Sequence, residues 1–379
     1  MAATLVQVPD FLRNWPWERA LNPLYEEVKT DSLAWLHGFG FFDVKSQDSF
    51  DRCEFPKLAM LTSPHHNREH ARSTCDLMDL FYVIDEYTDV EDAGGVQKIV
   101  DMIMDALRNP SKPRPTGEFR IGEMARQFWA LAIQTASPMS RAHFVDTMQE
   151  YLDSVTEQAV DRASNRVRTI DEYWALRRLT GGCLPSFALI ELGLEFPEEI
   201  YRHPLLENLR ECANRAICAA NDVYSYNIER VRGHALHNLV TIVMHEKDMG
   251  PQEAITWIGA WHDDLVADFF ASKAELEQLL SHGEWAGGDV ERQVRIYVDG
   301  LGCWVRGSDD WHLEGQRHLG NQGPSFRKNR QLLMLPRVDA MQARAGVTDA
   351  EGILVRELME KNAVAGMHIS TQATAILTV

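Results

Sequence analysis

Residues 77–89 read LMDLFYVIDEYTD, an apolar run that ends in a cluster of acidic side chains. Residues four apart in a helix lie on one face, so Phe81, Asp85 and Asp89 would form a single stripe. Carboxylates that directly follow an apolar helical face lie at the rim of an apolar interior, and hard oxygen ligands there suit Mg²⁺. The alternative is a solvated helix end. Negative charge is unfavourable at a helix C-terminus, however, and a bound cation would relieve that cost.

Residues 221–229, NDVYSYNIE, contain a second set of oxygen-bearing side chains. Asn221, Ser225 and Glu229 are spaced four residues apart, so an amide, a hydroxyl and a carboxylate would project from one helical face and could chelate a hard cation. A polar stripe facing water would have the same spacing. The preceding residues 212–220, CANRAICAA, are mostly small and apolar, which favours a buried helix.

Basic residues form the third element of the pattern. Arg177 and Arg178 directly precede Leu-Thr-Gly-Gly. Arginine suits bidentate contacts with phosphate groups, so these residues could bind an anionic ligand beside the metal ions. The Gly181–Gly182 pair predicts a helix interruption, because glycine is costly inside a helix. Taken alone, paired arginines are typical of an ordinary surface.

Helical periodicity dominates the rest of the chain, strand alternation is hard to find, and we expect an all-α protein. The predicted helices span 23–37, 66–91, 94–108, 118–135, 138–163, 169–179, 183–194, 203–231, 236–247, 251–281, 286–305 and 309–319. The three prolines of 109–117 predict a loop there, and 194–197 and 281–288 are predicted turns. We expect one domain over 1–336, followed by a tail over 337–379 with a potential amphipathic helix near 348–362.

Bulk composition excludes several classes of protein. The 379 residues carry a formal net charge of −18, which argues against binding nucleic acid or anionic lipid. It does not argue against a diphosphate, because bound metal ions reverse the local field. The sequence has no apolar run long enough to span a membrane, and its first residues, MAATLVQVPDF, lack the basic and long apolar regions expected of a signal peptide. Its six cysteines are scattered without CxxC spacing. We therefore expect a cytoplasmic protein with reduced thiols.

The two acidic motifs together resemble those of class I terpene synthases. DEYTD at 85–89 is similar to their aspartate-rich motif, and NDVYSYNIE is similar to their second motif, in which Asn, Ser and Glu bind magnesium. The motifs lie 136 residues apart (221 − 85) in the usual order. Flanking segments across about 8–336 resemble fungal sesquiterpene synthases, especially those of mushrooms. These segments are NWPWERALNP (14–23), FDRCEF (50–55), CDLMDLFYVIDEYTD (75–89), RRLTGG (177–182), HNLVTIVM (237–244) and GCWVRGSDDW (302–311).

The resemblance implies a single α-helical bundle around a deep apolar active-site cavity. It implies three Mg²⁺ ions, with Asp85 binding two of them and Asn221, Ser225 and Glu229 chelating the third. Asp89 belongs to the first motif and is a further candidate catalytic residue.

The same resemblance assigns the basic residues. It implies that Arg177 senses the diphosphate and that Thr180 and Gly181 link this contact to the helix break. Arg317 and His318 stand where the family has an Arg-Tyr pair.

The aromatic residues Phe81 and Trp311 match positions that line the family's cavity. Packed core is the alternative for both, since aromatic residues at helical spacing are usually buried.

Three positions depart from the family's pattern. His318 replaces a tyrosine, and an imidazole there would change charge near neutral pH. Leu313 and Leu319 stand where aromatic residues are common. Ile228 stands where some relatives have a basic residue, which would remove one diphosphate contact.

The implied reaction is the Mg²⁺-dependent ionisation of farnesyl diphosphate, followed by cyclisation to a multicyclic sesquiterpene and release of diphosphate, in a monomer or homodimer. Open alternatives are a chain-elongating prenyltransferase, a synthase acting on geranyl or geranylgeranyl diphosphate, and a non-catalytic helical binding protein. A di-iron carboxylate protein requires Glu-x-x-His pairs, which the sequence lacks.

Overall fold

In the computed structural model, which describes residues 4–283 and 285–334, most residues lie in α-helices, and the predicted all-α fold is confirmed. In chain order the helices are α1 (Tyr25–Phe39), α2 (Val44–Asp51), α3 (Phe55–Thr62), α4 (Arg68–Thr88), α5 (Ala93–Arg108), α6 (Ile121–Ala132), α7 (Pro138–Ser164), α8 (Ile170–Thr180), α9 (Cys183–Phe187), α10 (Glu198–Tyr201), α11 (Pro204–Arg232), α12 (Leu239–Lys247), α13 (Pro251–His282), α14 (Gly288–Glu314) and α15 (Gly323–Asn329). The predicted tail and its helix near 348–362 lie outside the described residues.

Helix α4 carries the first acidic motif. It starts at Asn67, whose side chain accepts a hydrogen bond from the His70 amide, and its middle is buried against α1, α3 and α6. At its C-terminus a guanidinium nitrogen of Arg162 donates to the carbonyls of Thr88 (2.8 Å) and Glu91 (2.9 Å). This cation offsets part of the dipole cost of placing carboxylates at the end of the helix.

Helix α11 carries the second motif. The small side chains of 212–220 let it pack closely, and it lies against α13 and α14. It continues without a break through the motif and ends at Gly233, which has a positive φ of 81°. Both ends of this helix lie within one residue of the predicted span, 203–231.

Two short strands were not predicted. Strand β1 (Thr4–Gln7) pairs antiparallel with β2 (Gln331–Met334), with Val6 opposite Leu332. Four residues are too few for a clear alternation, and the partners lie at opposite ends of the described chain. The pairing therefore depends on the completed helical fold, which buries Val6, Leu332 and Met334.

Several predicted helix boundaries were wrong. Residues 286–305 and 309–319 were predicted as two helices, but the structure has one continuous helix, α14, which runs through Gly307 without a break. Instead Gly307 lies against the backbone of α3, where an added Cβ would come within 2.5 Å of the Leu61 carbonyl carbon. The helix predicted at 183–194 stops at Phe187 and continues as turns, and α2 and α3 were missed.

Replacing Gly307 with alanine is expected to destabilise the protein by about 1–3 kcal/mol, because the crossing of α14 and α3 must widen. The matched control is Gly38→Ala in α1, where an added Cβ meets nothing within 4 Å. Higher helix propensity should raise the stability of the control by up to ~1 kcal/mol. Urea unfolding measures both changes, and equal effects of the two substitutions would refute the close crossing.

Candidate active site

A single pocket of 230 Å³ brings the predicted motifs together at the ends of α4, α8 and α11. Asp85 and Asp89 enter it from α4, and Asn221 and Glu229 enter it from α11. The other sequence-predicted residues that line it are Phe81, Arg177, Thr180, Gly181, Trp311, Arg317 and His318. Ser225 is the one predicted site residue that does not line this pocket.

One wall of the pocket is apolar. It is formed by Leu58, Met78, Phe81, Ile217, Trp304 and Trp311. The Phe81 ring meets the Tyr151 ring edge to face at 5.0 Å between centroids. The Trp311 side chain is fixed by a 2.8 Å hydrogen bond from its Nε1 to the carbonyl of Cys53. Both predicted aromatic residues are therefore packed into the core and also border the pocket.

Asp85 is held by Arg317. A guanidinium nitrogen of Arg317 lies 2.9 Å from Asp85 Oδ2, and the Arg317 guanidinium stacks 4.6 Å from the centre of the Tyr82 ring. The Asp85 side chain is 44% exposed, but its surface opens into a pocket crowded by protein. Burial, with added repulsion from Asp89, raises the pKa of Asp85 to about 7, although Arg317 opposes the rise. Arg317 therefore offsets only part of the cost of holding a negative charge on Asp85 in this buried position.

Asp89 directly follows the last residue of α4 and is its C-cap. Its carboxylate is 3.7 Å from Arg162 and 3.6 Å from His234. Burial raises the pKa of Asp89, and Arg162 opposes the rise.

Glu229 faces this cluster from α11. Asn238 Nδ2 donates to Glu229 Oε2 at 3.0 Å and approaches Ser225 Oγ at 3.4 Å. Burial, with added repulsion from Asp222, raises the pKa of Glu229 to about 7. Ser225 is buried, and its hydroxyl lies 3.4 Å from the Asp222 carbonyl. Asn238 thus connects two of the three predicted ligands of the second motif.

Arg177 is fixed by α11. Its guanidinium donates to Asp222 Oδ1 and to Asn221 Oδ1, both at 2.8 Å. Asp222 Oδ2 also accepts hydrogen bonds from the Tyr173 hydroxyl and from the Leu239 amide. Asp222 was missed by the sequence analysis. It is not on the Asn221–Ser225–Glu229 face, and its partners lie in α8 and α12.

The predicted helix break is present at Gly181 and Gly182. Helix α8 ends at Thr180, and Gly182 has a positive φ of 67° before α9 begins. A Cβ at Gly181 would come within 2.4 Å of Cys218 Sγ. The Thr180 hydroxyl lies 3.3 Å from His237 Nε2. The break therefore places Arg177, Thr180 and Gly181 along one edge of the pocket.

Arg232 is a basic residue of the site that the sequence analysis missed. It lies one helical turn after Ile228, lines the pocket, and its Nε has no hydrogen-bond partner among the described residues. The four-residue spacing from Ile228 is the signal that could have identified it. Arg232 can supply the positive charge that is missing at position 228, where Ile228 replaces the basic residue of some relatives.

His318 faces another histidine. Its Nδ1 lies 2.8 Å from Nδ1 of His312, and both rings are buried. Burial, with His312 and Arg317 nearby, lowers the pKa of His318 well below its usual range. The expectation that its charge changes near neutral pH is therefore wrong, because the ring stays neutral there.

A larger cavity of 1020 Å³ lies elsewhere, between the ends of α13 and α14 and residues 62–67. None of the acidic-motif residues, and none of the predicted arginines, lines it. Its larger volume does not make it the candidate active site, because the residues predicted to bind metal ions and diphosphate line the smaller pocket.

The donor set of the smaller pocket fits hard divalent cations. It offers carboxylate and amide oxygens from two helices, the groups that bind Mg²⁺ in proteins. Burial is the main cause of the raised pKa values of Asp85 and Glu229, and neighbouring carboxylates add to it, so a bound cation would stabilise the charged forms of both groups. Fold and pocket together define an all-α protein whose site combines oxygen donors that suit hard cations with guanidinium groups.

Comparison with known proteins agrees with this class. Residues 76–268 match terpene synthase family 2, described as a C-terminal metal-binding domain. The chain is 44% identical over 331 residues to a Delta(6)-protoilludene synthase of Stereum hirsutum, which covers 87% of this chain and 88% of that protein. It is 42% identical to a Delta(6)-protoilludene synthase of Armillaria gallica, covering 90% of this chain and 97% of that protein. The chain belongs to the terpene synthase family.

Solved structures share the fold at low sequence identity. An a-eudesmol synthase is 18% identical with a TM-score of 0.71, covering 79% of this chain and 98% of that one. The linalool/nerolidol synthase from Streptomyces clavuligerus is 21% identical with a TM-score of 0.70, covering 80% and 98%.

Within the described part of the chain, no helix is both long enough and apolar enough to cross a bilayer. All six cysteines carry free thiols, and five of them are buried.

Proposed function

We propose that the protein is a sesquiterpene synthase that ionises farnesyl diphosphate with Mg²⁺, cyclises the cation and releases diphosphate. The observation that carries this proposal is the single pocket in which carboxylates of α4 and α11 meet arginines and an apolar wall. The names of the relatives support a fifteen-carbon substrate and a multicyclic product of the protoilludene type.

The metal ligands would be Asp85 on one side of the pocket and Asn221 and Glu229 on the other, together with Ser225, whose hydroxyl is buried outside the pocket lining in this structure. Mg²⁺ bound by them would act as a Lewis acid on the leaving diphosphate as the C–O bond breaks. Asn238 orients Glu229 through its 3.0 Å hydrogen bond, as outer-sphere partners of metal ligands commonly do. The number of ions, three, is a prediction from the sequence, as are the cytoplasmic location and the monomeric or dimeric state.

Arg177, Arg232 and Arg317 would bind the diphosphate. Arg177 and Arg317 contact Asp222 and Asp85 in the structure, and a diphosphate would offer them further acceptor oxygens. Arg232 brings a guanidinium whose Nε needs a partner. The three side chains approach from α8, from α11 and from the segment after α14, so they can fix the leaving group from several directions.

The pocket must expand to hold the whole substrate. Its 230 Å³ is below the ~300–1,000 Å³ of typical small-molecule sites. Asp85 and Arg317 both line the pocket and are paired with each other at 2.9 Å, and exchange of this contact for diphosphate oxygens would let the two side chains separate.

The apolar wall would guide the hydrocarbon chain and exclude water, which would otherwise quench the cation. Phe81 and Trp311 present aromatic surface there, and cation–π attraction to a desolvated ring contributes about 2 kcal/mol. Wall shape then selects which ring closes.

Incubation of the purified protein with ten-, fifteen- and twenty-carbon prenyl diphosphates tests the proposal. We expect a cyclic hydrocarbon or terpene alcohol by gas chromatography from farnesyl diphosphate with Mg²⁺, and none after chelation of the metal. Addition of isopentenyl diphosphate separates the rival function, because a chain-elongating prenyltransferase would make longer prenyl diphosphates. Elongation, or turnover of another chain length alone, would overturn the assignment.

A further inference from the structure

His312 and His318 form a buried pair at the pocket wall. Their Nδ1 atoms are 2.8 Å apart, both side chains border the pocket, and both are more than nine-tenths buried. The rings are held on either side, since His312 packs 5.0 Å from the Tyr224 ring and His318 meets Trp311 edge to face at 5.7 Å. The fold thus fixes two imidazoles against the place where the hydrocarbon would lie.

The short contact determines where the protons are. Two nitrogens this close must share one hydrogen, so one Nδ1 donates and the other accepts. A neutral imidazole carries one N–H, and the donor ring therefore has an unprotonated Nε2 while the acceptor ring has an Nε2–H. Whichever ring donates, the pair presents one basic Nε2, and no hydrogen bond to either Nε2 is seen among the described residues.

The pair stays neutral at physiological pH. Burial lowers the pKa of His312 to about 3, and Arg317, one residue from His318, opposes protonation of both rings. A neutral imidazole has an unshared electron pair on its unprotonated nitrogen and can accept a proton there. A carbocation is a strong enough acid to protonate even a weak base.

Other candidate bases in the pocket are already engaged. His237 Nε2 contacts the Thr180 hydroxyl, and His234 lies beside Asp89. The carboxylates of Asp85 and Glu229 are assigned above to metal ions.

We propose that the His312–His318 pair is the base that removes the last proton from the cyclised cation. This inference rests on the proposed function. A C–H bond next to the cationic carbon breaks, its electron pair becomes the new C=C bond, and the proton goes to the unprotonated Nε2. The resulting positive charge is shared across the Nδ1–Nδ1 hydrogen bond, and the extra proton leaves to water after the product departs.

The first test uses His312→Asn and His318→Asn. The asparagine side chain can keep a hydrogen bond near the Nδ1 position, but it has no basic nitrogen. General bases typically contribute 10²–10⁴-fold, so we expect the share of the main hydrocarbon to fall by about tenfold or more relative to by-products. Diphosphate release, which reports ionisation, should fall much less. The control is His262→Asn, which removes a buried neutral histidine of α13 outside the pocket.

Chemical rescue separates basicity from shape. His312→Ala leaves a gap that free imidazole can fill, and imidazole should restore the main hydrocarbon. Pyrrole has the same ring size without a basic nitrogen and should restore nothing. Equal rescue by both compounds, or an unchanged product profile in both Asn variants, would overturn the assignment of the pair as the base.

Failure of the inference can be told from failure of the proposed function. If the wild-type protein releases no diphosphate from any prenyl diphosphate, the proposed function fails and the pair has no such reaction to serve. If the wild type makes the hydrocarbon and folded His312 and His318 variants make it in the same proportion, the pair alone is refuted.

Discussion

Asp85→Asn is expected to lower kcat/KM for farnesyl diphosphate by about 10³-fold, since loss of one preorganised electrostatic group commonly costs 10²–10³. The substitution removes a negative charge that would hold Mg²⁺ but keeps an oxygen that Arg317 can contact, so the fold should survive. Release of diphosphate should also require a higher Mg²⁺ concentration. Steady-state kinetics across a Mg²⁺ series measures both effects.

The matched control is Glu86→Gln, which removes the neighbouring acid of the same motif. Its side chain is 41% exposed, it does not line the pocket, and its ion pair with Arg317 is long at 3.6 Å. Such a surface pair contributes little, about 1 kcal/mol or less. We expect activity within about threefold of wild type. An Asp85→Asn enzyme with full activity and an unchanged Mg²⁺ requirement would refute the ligand assignment.

Arg177→Lys is expected to lower kcat/KM by about 10²-fold. Lysine keeps the positive charge but not the planar fork that lets arginine contact Asp222, Asn221 and a diphosphate at once. Because the charge is kept, Asp222 is not left buried and unpaired, which would cost about 3–5 kcal/mol. Kinetics with thermal unfolding separates the catalytic loss from any loss of stability.

Arg178→Lys is the matched control for Arg177→Lys. Its side chain is 43% exposed and pairs with Glu211 at 3.2 Å, away from the pocket. Activity should match the wild type. Equal losses in both variants would indicate that the segment, and not the Arg177 guanidinium, carries the effect.

Much of the site could be predicted because its elements are local. The four-residue spacing in the two motifs places each ligand set on one helix face, and both helices are long and strongly patterned. Asn221 and Glu229 line the pocket as expected. Ser225 has the right spacing, but its hydroxyl is buried beside the Asp222 carbonyl and Asn238.

The missed residues depend on contacts between distant segments. The Asp222 carboxylate accepts hydrogen bonds from Tyr173, Arg177 and Leu239. These donors come near Asp222 only when α8, α11 and α12 pack together. His312 was unremarkable in the sequence, because its partner His318 reaches it only after α14 ends and the chain turns. Residues 286–305 and 309–319 were predicted as two helices, although Gly307 between them lies within α14 and permits a close helix crossing. Helix propensity is a property of one segment of the chain, whereas the roles of Asp222, His312 and Gly307 depend on contacts between two segments.

The most direct test of the account is the position of divalent ions. Crystals grown with Mn²⁺ and inorganic diphosphate should give anomalous peaks about 2.1 Å from oxygens of Asp85 and of Asn221 and Glu229, with diphosphate between them and near Arg177. Peaks elsewhere in the molecule, with no ion at either motif, would contradict it.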